Sequence, residues 1–248
     1  MQAGGDLEST DPGLTAALKA EASRPAADTY KAVADEYLRL GVYDRAIAFL
    51  TRAIDLSPRD SILLAARARA RRDFGQPDAA LGDAHRAVSF APTSPDAHNT
   101  LGTVQFALGQ PVEAVASFER ALTLAPDATW ALNNLCYVAL IDGDEQKALA
   151  RCRAALERDP GSSIARNNLA LVQAAAGRLD DARDTLMASG NRAAAQYNFG
   201  ILLLSRKDYG PAAAALTEAC RLAPAFEAAC TRAFEARTLA AGARRIPR

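Results

Sequence analysis

The residues of this 248-residue chain whose types and spacing could do chemistry are four cysteines, a spaced row of asparagines and a run of arginines. Cys136 and Cys152 stand at equal distances either side of Asp144, and Cys220 and Cys230 at equal distances either side of Ala225. With turns at Gly143 and at Pro224-Ala225, each pair lies level across an antiparallel helix hairpin. Small residues at such a contact allow the α-carbons to approach within the roughly 7 Å that a disulfide needs. Two disulfides would place the protein in an oxidising compartment; the other reading is that each cysteine packs as a small hydrophobe. Asn99, Asn133 and Asn167 recur at a step of 34 residues, with Asn134, Asn168 and Asn198 alongside. Each amide offers both a donor and an acceptor. Such a row could satisfy the backbone of an extended peptide, or could fix neighbouring helices to one another.

Other chemistry is thinly represented. His85 and His98 are the two histidines, and neither has a second ligand at metal spacing, so both read as structural. The run Arg67, Arg69, Arg71 and Arg72 could hold an anion, or could be a solvated helix face with one or two ion pairs. No Gly-rich phosphate loop and no nucleophile elbow occur. The expectation is therefore a non-enzyme without cofactor or metal. Lys+Arg and Asp+Glu both number 29, and a neutral chain is poorly suited to neutralising nucleic-acid phosphates. No apolar run reaches the roughly 18 residues of a membrane span. Met1 is followed by a polar, Gly-rich stretch and not by a signal peptide's apolar segment. Either the protein stays where it is made, or the chain begins after a removed leader. The corresponding locations are the cytoplasm, or the bacterial periplasm if the cysteine pairs are disulfides.

The elements that must position these residues are written as a repeat. Alanine recurs at Ala46, Ala80, Ala114, Ala148 and Ala182, and glycine at Gly41, Gly75, Gly109, Gly143 and Gly177. Proline recurs at Pro58, Pro92, Pro126 and Pro160 with the same step of 34. Each unit holds an amphipathic stretch ended by Gly, which tolerates the left-handed cap, and a second stretch closed by Pro, which cannot continue a helix. Half of the chain is hydrophobic but only 6% is aromatic, and alanine is the largest contributor to that half, which favours helix. Small residues stand where the two helices must meet: Ala34, Ala68, Gly102, Cys136, Ala170 and Gly200. No such unit buries its apolar face alone, so the units must stack.

This pattern resembles the tetratricopeptide repeat. The first unit matches nearly throughout, with Tyr30, Val33, Ala34, Tyr37, Gly41, Tyr43, Ala46, Leu50, Ala53 and Pro58 at the family's positions. The resemblance implies an all-α, right-handed superhelical solenoid of six helix hairpins (27–60, 61–94, 95–128, 129–162, 163–192 and 193–226). Residues 1–26 are expected to form a flexible N-terminal arm with at most a short helix from Leu14 to Ser23, residues 227–241 a capping helix, and 242–248 a basic tail. The fifth unit lacks its closing Pro and should have a short second helix. The sixth carries Lys207 where Gly is usual. Arg67 stands at a usual apolar position, and Asp83, on the facing helix, is its expected ion-pair partner.

In such solenoids the first helices line a concave groove. By the family's pattern the first two units contribute a charged half containing Lys31, Arg39, Arg69 and Arg72. The later units contribute an apolar half containing Phe106, Trp130, Tyr137, Ile164, Leu171, Tyr197 and Ile201. Asn99, Asn133, Asn134, Asn167, Asn168 and Asn198 run between these apolar residues, like the asparagine ladder of some peptide-binding members. The clamp by which chaperone-binding members hold a C-terminal carboxylate is not expected: Lys31 fits it, but Asp35, Ala66 and Thr100 do not. The expected function is a scaffold holding a peptide segment or a partner helix. The architecture also weakly resembles tetratricopeptide proteins that assist assembly of tight-adherence pili. Two rival readings are a substrate-recruiting module for a separately encoded enzyme and a self-associating adaptor, the latter separable by light scattering.

Overall fold

In a computed structural model, described for residue 8 and residues 10–243, the chain is helical, and the described residues contain no strand. Fourteen helices of the described residues follow in order: α1 (Pro12–Ser23), α2 (Ala27–Arg39), α3 (Tyr43–Leu56), α4 (Ser61–Asp73), α5 (Pro77–Phe90), α6 (Pro95–Ala107) and α7 (Pro111–Leu124), then α8 (Thr129–Ile141), α9 (Glu145–Arg158), α10 (Ser163–Ala175), α11 (Leu179–Met187), α12 (Arg192–Ser205), α13 (Tyr209–Leu222) and α14 (Glu227–Ala243). They fall into two compact units, Met1–Ala131 and Leu132–Arg248, the division passing through α8.

Short-range chemistry sets the helix ends. Asp11, Ser94, Asp144, Ser162 and Asn191 each accept a hydrogen bond from a backbone N–H in the first turn of the helix that follows. At the other end, the first helix of each hairpin closes through one motif. Val42 N–H donates to the Tyr37 carbonyl at 2.8 Å, and Gly41 N–H to that of Leu38 at 3.0 Å, with Gly41 at φ 73°. The same pair of bonds closes α12, where Lys207 holds φ 65°, a conformation that a residue with a Cβ adopts at some cost.

In the first unit the core runs from Leu14 through Val33, Tyr37, Leu50 and Leu64, all nearly or wholly buried. It includes the ion pair expected from the sequence. The Arg67 guanidinium donates through Nε and Nη2 to both Asp83 oxygens at 2.7 and 2.8 Å, and through Nη1 to Thr51 Oγ1 at 3.1 Å. Arg71 adds a third donor to Asp83 at 2.8 Å.

The flexible-arm expectation for residues 1–26 gives way, over Pro12–Ser23, to a docked helix. Leu14 is fully buried, Arg39 Nη2 donates to both Asp11 oxygens at 2.6 Å, and the Tyr37 hydroxyl donates to Glu8 Oε1 at 2.8 Å. Residues 1–7 and 9, and the last five residues of the expected tail, lie outside the described residues; Gly242 and Ala243 end α14.

In the second unit Cys136 and Cys152 stand at disulfide distance between α8 and α9, with Cα atoms 5.3 Å apart, and so do Cys220 and Cys230 between α13 and α14, with Cα atoms 4.8 Å apart. The first pair is wholly buried and the second half-buried. The second helix of the fifth hairpin, α11, has nine residues against fourteen in α9 and α13. At Gly200 an added Cβ would stand 2.5 Å from Leu216 Cγ, so α12 and α13 require the absence of a side chain there.

A candidate partner-binding cleft in the second unit

Helices α10 and α12 pack side by side as first helices of consecutive hairpins, and α14 packs on α13. The faces of α10, α12 and α14 bound an open cleft of about 480 Å³. Leu171, Tyr197, Ile201 and Leu202 supply its apolar surface, Asn167, Asn168, Asn198 and Ser205 its amides and hydroxyl, and Arg232 its one charge. The Asn198 Nδ2 donates to Asn167 Oδ1 at 2.9 Å, one hairpin to the next. That bond fits the helix-fixing role weighed for the asparagines, and it leaves each of the two amides one polar atom for other partners. Asn168 makes no side-chain hydrogen bond to another described residue. The Tyr197 ring packs on Phe226, with centroids 4.7 Å apart and planes tilted by 52°. Arg232 pairs with Glu235 at 2.7 Å; Glu235 first, and the Tyr197 phenol after it, hold its guanidinium above its ordinary pKa.

Six of the sequence-selected residues thus meet: Asn167, Asn168, Leu171, Tyr197, Asn198 and Ile201. Ile164 is 63% exposed and Tyr137 40% exposed, and neither lines the cleft. Asn134 is half-buried. Asn133 is a correction: it is 6% exposed, because α8 is packed nearly all round here, with Ala131, Leu132, Leu135 and Cys136 all buried. Its Oδ1 has no hydrogen-bond partner. In the first unit Asn99 and Phe106 are half-buried, and Trp130 packs partly buried against Ala121, Ala128 and Ala131.

The charged half is largely self-satisfied. Lys31 pairs with Asp35 at 2.7 Å and Arg72 with Asp73 at 2.7 Å. Arg39 anchors α1 through Asp11 and also pairs with Glu36, with its side chain 52% exposed. Arg69 donates to Thr100 Oγ1 at 3.0 Å, and burial pushes its guanidinium below its ordinary pKa, against the Asp96 carboxylate. His98 Nε2 lies 2.9 Å from the Pro92 carbonyl, and His85 is exposed. The described residues contain no group of three or more His, Cys, Asp or Glu able to hold a metal, and no helix long and apolar enough to cross a membrane.

Sequence reasoning missed Arg232, Ser205, Leu202 and Leu186 in this cleft. A signal for the first existed. Counting the hairpin register one unit beyond Phe226 places Arg232 at the sixth position, which Asn134, Asn168 and Asn198 hold in their own units.

Tetratricopeptide repeat models match residues 27–60, 65–129 and 139–198, together more than half of the chain. The chain belongs to the tetratricopeptide repeat family. No curated protein matches its sequence. Among solved structures, this tetratricopeptide repeat protein is similar to one from Parabacteroides merdae at 16% identity, TM-score 0.68, covering 90% of this chain and 91% of that one. It is similar to the type IV pilus biogenesis factor PilW at 22% identity, TM-score 0.66, covering 83% and 97%. A chain of the APC/C hetero-tetramer Cut9–Hcn1 matches at 21% identity and TM-score 0.68 over 90% of this chain, which spans 45% of the length of that one. At these identities the likeness establishes an all-α solenoid of helix hairpins.

Proposed function

We propose that the protein is a non-catalytic scaffold that holds a peptide segment or a helix of another protein in the α10–α12–α14 cleft. Family membership supports the general role, since stacked helix hairpins offer extended surfaces to partner proteins. The observation that carries the site is the convergence, in one open cleft of about 480 Å³, of an apolar floor and a rim of amides from successive hairpins. A bound backbone keeps its hydrogen-bond partners only if the wall that displaces water supplies donors and acceptors, and Asn168, Asn167 and Asn198 do both. Asn99, Phe106, Trp130, Asn134, Tyr137 and Ile164 are candidates for further partner contacts outside this cleft. The test is co-purification from the native organism with wild type and with Asn168→Ala/Tyr197→Ala. Loss of the Tyr197 ring from its packing on Phe226 should lower the melting temperature, so recovery is compared below both transitions, where the protein is folded. There the double variant should lose about 2 kcal/mol or more of partner affinity; unchanged recovery of partners would remove the cleft from the account.

A second reading adds a setting: assembly of a pilus or secretion complex in an oxidising compartment such as the bacterial periplasm. It is favoured by the two cysteine pairs, which suit such a compartment, together with the likeness to PilW. Mass spectrometry of the non-reduced native protein should recover Cys136–Cys152 and Cys220–Cys230 linkages; four free thiols would argue against the setting.

A further inference from the structure

The one charged side chain lining the cleft comes from outside the six hairpins. Arg232 lies on α14 at the hairpin position that Asn168 and Asn198 occupy on α10 and α12. The row therefore passes from amide to amide to guanidinium across three successive first helices. The Arg232 pair with Glu235 is an exchangeable one. The two residues are three apart on one helix, and their side chains are 52% and 45% exposed. Ion pairs so exposed to water contribute little and are readily replaced. A guanidinium whose partner can turn back to solvent presents a fork of donors to any carboxylate that enters beside it. Next to it stand the Tyr197 ring, backed by Phe226, and the apolar side chains of Leu171 and Ile201.

We infer that the cleft takes an extended acidic–apolar peptide, with a large apolar side chain between Leu171, Tyr197 and Ile201 and a neighbouring carboxylate on Arg232. The inference rests on the peptide-binding reading above and adds the chemistry of the occupant. A basic group at that place would be repelled by Arg232, and a purely apolar segment would strip water from the guanidinium without replacing it. A carboxylate does replace it, and the amides of Asn168 and Asn198 are then left to bond the peptide backbone. The carboxylate can be an Asp or Glu side chain or the peptide's own C-terminus, since both present the same two oxygens.

The test is an array of immobilised nonapeptides with a central Leu or Phe beside Glu, Gln or Lys, each made with a free and an amidated C-terminus. It is probed with the full chain, with R232Q and with E235Q, after melting curves confirm that the three are equally folded. Glu peptides should bind about tenfold more tightly than their Gln counterparts, as a charge-assisted bond requires, and Lys peptides least. R232Q should erase the difference between Glu and Gln, and E235Q should widen it. A preference that survives amidation assigns the carboxylate to a side chain, and one lost on amidation assigns it to the terminus. Equal binding of Glu and Gln peptides, or a preference unchanged in R232Q, would overturn the inference and leave peptide binding standing. Failure of every peptide to bind would overturn both.

Discussion

Arg67 and Asp83 are 8% and 4% exposed, and each is held by the other. Asp83→Ala leaves the Arg67 guanidinium inside without its counter-charge and should cost about 3 kcal/mol or more. Replacing both together, Arg67→Met with Asp83→Leu, should restore most of that, because it is the stranded charge that is costly. Chemical denaturation of the three proteins checks this, and a double variant as unstable as Asp83→Ala would contradict it. This pair was legible in the sequence because an Arg at an apolar repeat position demands a partner on the facing helix. Burial of Asn133 was not legible. Its position is shared with Asn167, which is exposed, and only the packing around α8 separates the two.

Helix α1 lies outside the repeat, so the sequence carried no more than a short helix from Leu14 to Ser23 and no periodicity from which to place it against the first hairpin. Its anchors span long stretches of chain: Asp11 to Arg39 and Glu8 to Tyr37. A local signal was present nonetheless, in Asp11 as a cap before Pro12 and in the spacing of Leu14, Ala17 and Leu18. The anchor at Tyr37 makes docking sensitive to alkali. Burial first, and the Glu8 carboxylate second, raise the phenol from 10.0 to about 12. A raised pKa means that the folded state prefers the neutral phenol. Its contribution is fully present below pH 10.0 and is lost as pH rises toward about 12. Hydrogen exchange or tryptic nicking at α1 should increase across that window in wild type, and Tyr37→Phe should lose the part of the change due to phenol ionisation. An identical alkaline profile in both proteins would contradict the assignment. The short α11, by contrast, was readable from the missing Pro and the Gly190 that follows Ser189.

For the whole molecule, the hairpin order was legible because each unit packs on its neighbours and a few size-restricted positions per unit suffice to encode it. The cleft was legible in part. Six of its residues fall on predicted groove positions, and Arg232 lies beyond them, on a lone helix past the last complete hairpin where no second helix marks the repeat. How the partner chemistry is read therefore depends on whether the α10–α12–α14 cleft is occupied in the cell. The most direct measurement replaces Ile201, 36% exposed at that cleft, with a photo-cross-linking phenylalanine analogue, using Val112, 78% exposed in the first unit, as control. Irradiation in the native organism followed by mass spectrometry should give adducts at position 201 with one recurring segment of another protein, and few at position 112. Adducts equally frequent at both positions, or none at 201, would contradict a partner-binding cleft in the second unit.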